Sequence, residues 1–255
     1  MKSYRFLGKL AMVLCAAVAM APAAAGAYAL QTVEFNQKDK GLGVKVTSSG
    51  NTMTGGIAGA FSVSVIDEND ALLLDENGDA DWFTAFCIEP DQGAGTGKNI
   101  NYDVELVAPS LVQGGLESAW LIEYADMYTD EAYADYRIGA LQLAIWEVVK
   151  DYNPTRDYDL SGGEFFWTDN SRRNGWYRAE TGELAGMYLD NLRNYFDPTG
   201  LDGLYAASLN DQYQDFMINV PGVGAVPTPE PASMVLLAFG LLGMAGVGRK
   251  LRRKN

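Results

Sequence analysis

Leu141-Gln142-Leu143-Ala144-Ile145-Trp146-Glu147-Val148-Val149 lies near the middle of the chain and reads as helix. Ile138 stands four residues before Gln142, and Ile145, Trp146 and Val149 follow three, four and seven residues after it. That spacing puts all of them on one helical face, with Gln142 inside the apolar stripe. Gln142 is therefore predicted to be buried. An unpartnered buried carboxamide costs on the order of 1–3 kcal/mol, so the fold must supply it with partners. Working outward, the helix is predicted from about Asp130 to Tyr152, stopped by Asn153-Pro154. Leu116, Ala119, Trp120, Glu123 and Met127 outline a helix before it, and Ala179 to Tyr195 one after it, with Asp197-Pro198 beyond.

Upstream, from Val33 to about Val107, the period is that of strands with glycine-rich breaks. Val44-Lys45-Val46 and Phe61-Ser62-Val63-Ser64-Val65 alternate apolar with polar residues, as half-buried strands do. Trp82 to Ile88 and Tyr102 to Val107 are further strand candidates. Residues 204–220 return to helix or strand, and Phe216-Met217-Ile218 could close the sheet. The expected fold is α+β: a small β-sandwich or barrel with a helical subdomain, one domain over residues 28–225.

Composition narrows the chemistry. The 255 residues include 33 acids, 19 bases and no histidine, a formal net charge of −14. Eight bases and one acid sit in the two ends, which leaves 32 acids and 11 bases in the body, a net of −21. So acidic a body disfavours nucleic acid as a partner. The lack of histidine excludes His-dependent hydrolases, His general bases and His-ligated zinc or haem. Two cysteines are too few for zinc–thiolate or iron–sulfur sites. Gly93-Ala94-Gly95-Thr96-Gly97 leads into no helical pattern and reads as a loop rather than a phosphate cradle. No metal or cofactor is expected.

Both ends read as addresses. Lys2, Arg5 and Lys9 form a positive n-region, Leu10 to Ala21 an apolar core, and Ala25-Gly26-Ala27 a small-x-small cleavage site, so residues 1–27 are a predicted signal peptide. Cys15 falls inside it, leaving Cys87 as the body's one cysteine. At the other end, Val226 to Pro231 is a proline-rich extended segment. Residues 232–247 carry no charge, and Arg249, Lys250, Arg252, Arg253 and Lys254 follow. The apolar run is slightly shorter than the ~20 residues of a usual spanning helix. The terminal bases predict a cytoplasmic end. With Pro229-Glu230-Pro231 ahead of it, this tail over about 226–255 resembles the PEP-CTERM sorting signal of Gram-negative bacteria. The resemblance implies an inner-membrane-anchored precursor, an exosortase-type sorting enzyme as partner, and delivery to the cell surface or extracellular matrix. Pro229, Glu230, Pro231, Arg249, Arg252 and Arg253 are its motif positions.

Cys87 lies in Phe86-Cys87-Ile88-Glu89-Pro90, at the end of a predicted strand. It reads either as a buried structural thiol or, as a lone cysteine in an exported body, as a functional one. A thiol and a carboxamide held together in a dry site can react: sulfur attacks the carboxamide carbon, ammonia leaves, and an internal thioester remains. Phe86-Cys87-Ile88 and Gln142-Leu143-Ala144-Ile145-Trp146 resemble the two motifs of the Cys-Gln thioester domain of bacterial surface adhesins. Leu141 stands where that family usually has threonine. The resemblance implies Cys87 as thiol partner and Gln142 as acyl partner, with Phe86, Ile88, Ala144, Ile145 and Trp146 in support. It also implies covalent adhesion to an amine-bearing ligand in a single-use reaction rather than enzymatic turnover. The alternatives are a non-covalent structural or matrix protein with a free Cys87, and a secreted carboxylate hydrolase.

Three further features have plainer readings. Asp75-Glu76-Asn77-Gly78-Asp79-Ala80-Asp81 has the oxygen ligands of a calcium loop, but its glycine is in the fourth position, so an acidic turn is expected. Glu180 and Glu183 could pair as glycosidase carboxylates, although so acidic a body produces such pairs by chance. Phe165, Phe166, Trp167, Trp176 and Tyr177 could form a sugar-binding strip, with core packing the expected use.

Overall fold

The computed structural model of the protein describes residues 28–33, 41–66, 71–93, 100–126, 134–168 and 176–220. The predicted signal peptide and the sorting tail, with Pro229, Glu230, Pro231, Arg249, Arg252 and Arg253, lie outside them. Among the described residues no helix is long and apolar enough to cross a membrane.

Among the described residues eight strands form: β1 (Tyr28–Val33), β2 (Gly41–Ser48), β3 (Asn51–Ile66), β4 (Phe83–Cys87), β5 (Ile100–Val107), β6 (Phe165–Trp167), β7 (Ala206–Leu209) and β8 (Phe216–Ile218). The helices are α1 (Gly115–Asp126), α2 (Ala134–Lys150), α3 (Trp176–Tyr195) and the single-turn α4 (Leu201–Leu204). The α+β class expected from the sequence is what the structure shows.

The strands are ordered β1-β5-β7-β8-β4-β3-β2-β6, with β1 also paired to β3. The 16-residue β3 is shared by two sheets. Its second half pairs with β1 and β4, and its first half with β2, which in turn holds β6. The eight strands do not close into one barrel, because β2 and β6 run on past β3 as an open wing. Ser49 and Gly50, both left-handed (φ 49° and 80°), join β2 to β3 in a two-residue turn of the kind that suits twisted hairpins.

The alternation read in Phe61-Ser62-Val63-Ser64-Val65 sorts the faces. Phe61, Val63 and Val65 are buried, and the pairing register sets Phe61 beside Ala85 and Cys87 beside Phe216. The Phe61 and Phe216 rings meet edge to face at 5.1 Å. Phe216-Met217-Ile218 joins β7 to β4, as the sequence suggested.

Helix α2 packs against α1, α3, β2, β3 and β4. Residues 139–148 are therefore buried on every side, where the sequence pattern predicted a single buried stripe. The helix ends at Lys150, two residues before its predicted last residue, Tyr152. There the Asp151 carboxylate accepts the main-chain N–H groups of Glu164 (2.7 Å) and Phe165 (2.9 Å) and turns the chain toward β6. Its predicted start near Asp130 lies outside the described residues. Two strands escaped the sequence pattern: β1, and β6, whose aromatics were expected to pack in the core but not as a strand.

Candidate functional site

The structure brings the two sequence motifs together. Cys87 is the last residue of β4 and Gln142 lies in the middle of α2; they are 1% and 0% exposed. The β4–β3 pairing ends at Phe86 opposite Ala60. One residue further on, Gln142 takes over as a peptide group would. Its Oε1 accepts the Cys87 N–H at 3.0 Å, and its Nε2 donates to the Cys87 carbonyl at 2.7 Å. Both polar atoms of the carboxamide thus have partners, and both belong to the residue carrying the thiol. This accounts for a glutamine in an apolar stripe.

The sulfur also has partners. Trp146, one turn along α2 from Gln142, donates its indole Nε1–H to Cys87 Sγ at 3.2 Å. The main-chain N–H of Glu89 donates to the same sulfur at 3.3 Å. Trp146 is held in turn by the fully buried Phe165, at a ring separation of 6.0 Å. The segment after Cys87 is held by Gln214, whose Nε2 donates to the carbonyls of Glu89 (3.2 Å) and Gln92 (2.9 Å). Asp91 binds Ser49 Oγ at 3.0 Å and forms an ion pair with Lys150.

Burial pushes the Cys87 thiol up to about 12, against the pull of the Trp146 and Glu89 donors; the carboxylates of Glu89 and Asp215 add to the rise. The resting group is a neutral thiol. Burial also raises Asp215, to about 6, although its carboxylate accepts the Asn210 N–H.

Phe86 pairs with Met217 across β8, and Ile88 donates its N–H to the Asp215 carbonyl at 2.9 Å. Phe86, Ile88, Ala144 and Ile145 are all buried. The weaker candidates separate from the site. The Asp75 carboxylate accepts the N–H groups of Asn77 (2.8 Å) and Asp79 (3.0 Å), bonds that lower its pKa and make the segment an acidic turn. Among the described residues no cluster of three or more His, Cys, Asp or Glu is placed to hold a metal. Glu180 and Glu183 are exposed on α3. Phe165 is core and β6 pairs with β2, so these aromatics do not form a free strip; the side chains of Trp176 and Tyr177 lie outside the described residues.

The sequence reading missed Glu147, which is 1% exposed and off the apolar stripe. Its Oε1 accepts the Asp159 N–H at 2.9 Å, its Oε2 has no partner, and burial pushes its carboxyl up to about 7. Nothing in the local pattern marks it, because its burial comes from the loop that folds back over α2.

No curated protein matches the chain. Among solved structures, the N-terminal thioester domain of fibronectin-binding protein SfbI from Streptococcus pyogenes is similar at 14% identity and a TM-score of 0.37, over 74% of this chain and 98% of that domain. Residues 227–253 match the PEP-CTERM protein-sorting motif. The motif marks an exported protein, recognised by an exosortase, anchored in the membrane before processing and sorted to the envelope or surface of a Gram-negative cell.

Proposed function

We propose that this exported protein is a surface or matrix adhesin whose Cys87 and Gln142 form an internal thioester that captures an amine-bearing partner. The observation that supports it is the pairing of Gln142 with the main chain of Cys87 while two N–H donors converge on the Cys87 sulfur. A neutral sulfur is a weak acceptor. Two donors aimed at it act most strongly when it carries negative charge.

Sulfur becomes negative twice in this chemistry. In the first step it attacks the Gln142 carboxamide carbon; the C–N bond breaks and the nitrogen leaves as ammonia, taking the thiol proton. In the second, a primary amine attacks the same carbon, the C–S bond breaks, an amide forms on the Gln142 side chain, and Cys87 recovers its proton from the amine. The Trp146 indole and the Glu89 amide favour both steps by stabilising the sulfur anion. Burial keeps water from hydrolysing the thioester in between. The product amide is stable, so each molecule reacts once, without enzymatic turnover.

The test is the intact mass of the full chain in detergent, with and without methylamine, beside Cys87→Ala. The expected result is a mass one ammonia below the sequence, rising by one methylamine on treatment, with neither change in the variant. The second reading, a free thiol with Gln142 as a structural bridge between β4 and α2, draws on the full satisfaction of the carboxamide. It predicts the full sequence mass and a titratable thiol after unfolding, a result that overturns the thioester.

A further inference from the structure

A cleft of about 430 Å³ opens elsewhere on the molecule, between the start of α1, the segment after α2 and the residue following α3. Its volume is in the range of small-molecule sites, about 300–1,000 Å³. Arg156 forms one wall. Its backbone is left-handed, at φ 56°, a conformation that costs a non-glycine residue about 1–2 kcal/mol. Four contacts hold it there. Its N–H donates to the Asn153 carbonyl at 2.8 Å, and its own carbonyl accepts Arg193 Nε at 3.2 Å. Its guanidinium lies 3.9 Å over the Phe196 ring, and Nη2 donates to Oε1 of the buried Glu117 at 3.3 Å. Backbone strain of this kind is unfavourable in isolation and collects at functional sites.

The chemistry of the lining selects the ligand. Arg156 and Glu117 neutralise each other, and the body as a whole repels anions, so no net charge is called for. Glu117 offers acceptors, Arg156 donors, and the Ser110 and Tyr152 hydroxyls and the Gln113 carboxamide offer both. Tyr152, 40% exposed, supplies aromatic surface, and Phe196 backs Arg156 in the wall. A pyranose ring fits that set: it has an apolar C–H face for the aromatic surface and a rim of hydroxyls that both donate and accept. We infer that this cleft binds a neutral hexose unit of a glycan. It shares no residue with the Cys87–Gln142 site, so its failure leaves the thioester reading intact, and the converse holds.

Saturation-transfer NMR on the full chain, in a non-glycosidic detergent, tests it with the methyl glycosides of glucose, galactose and mannose as probes and glucuronate as the charged control. At least one neutral glycoside should give a saturable, millimolar signal. Tyr152→Ala and Gln113→Ala change exposed side chains and should retain the fold by circular dichroism, and each should weaken binding about tenfold. No saturable signal from any neutral glycoside, a signal from glucuronate alone, or binding unchanged in both variants would overturn the assignment.

Discussion

Replacing Glu147 with glutamine should stabilise the protein increasingly as the pH rises from about 4.5 to 7 and change little at pH 4.5 and below. In the folded chain the Glu147 carboxyl is pushed up to about 7 from a usual value of 4.5, first by burial and then by the charges of Asp151 and Asp159. Below pH 4.5 the group is protonated both folded and unfolded, and the carboxyl brings no penalty. Between pH 4.5 and 7 the unfolded chain releases the proton while the folded chain keeps it, so stability falls by up to about 1.4 kcal/mol per pH unit. Above pH 7 both states are ionised and the loss is constant, at about 3 kcal/mol. Glutamine keeps the acceptor for the Asp159 N–H and cannot ionise. It leaves one buried amide nitrogen where Glu147 Oε2 now lacks a partner, which trims the gain to about 1–3 kcal/mol at pH 8. Urea unfolding of the full chain and of Glu147→Gln, from pH 4.5 to 8, measures the difference directly. Asp215, also raised, titrates in both proteins and cancels from it. A variant that loses stability with pH as steeply as the wild type, or that is less stable at pH 8, refutes the reasoning.

Trp146→Phe keeps an aromatic ring against Phe165 but removes the N–H that reaches the sulfur. A hydrogen bond to a charged atom contributes about 1.5–3 kcal/mol, so methylamine should open the variant's thioester between about ten- and a hundredfold more slowly, as read by mass; an unchanged rate removes Trp146 from the chemistry. Gln142→Leu leaves the buried N–H and C=O of Cys87 without partners and should cost on the order of 2–5 kcal/mol in urea unfolding, whereas Cys87→Ala keeps both bonds and should cost clearly less. Equal losses would show that the bridge is not what Gln142 contributes to folding. Gly163→Ala should lower the melting temperature, at a cost of about 1–3 kcal/mol: Gly163 has φ 114°, and a β-carbon there meets the Asp151 carboxylate that positions β6. Unchanged melting would show that the loop accommodates the side chain.

The elements legible in the sequence are those whose pattern is local. The α2 stripe and the Phe61–Val65 alternation each put apolar groups on one face at the right period, and both elements formed. Gln142 was legible as buried because its neighbours in the stripe are apolar. What it bonds to was not, since the main chain of Cys87 is offered only where β4 outruns its pairing with β3. The β6 strand is three residues with no alternation, and it exists because β2 presents an edge to it. Glu147 went unnoticed for a related reason. Periodicity records one buried face, and α2 is covered on all of them.

On the proposed reading, reaction at the site is a single event, and the state of its groups agrees with that. The thiol is neutral, with its pKa near 12, and the carboxamide is bound at both ends, so neither group is activated alone. There is no histidine anywhere in the chain to relay a proton through repeated cycles. What the fold supplies is proximity, a dry setting and two donors for the sulfur, each of which serves a reaction between groups already in place. On the proposed reading an amine has to reach the carbonyl carbon only once. A body with a net charge of −21 attracts cationic surfaces, which agrees with the amine-bearing partner proposed above. A covalent link formed in that way does not depend on affinity afterwards, which suits a protein exported beyond the reach of the cell's energy supply.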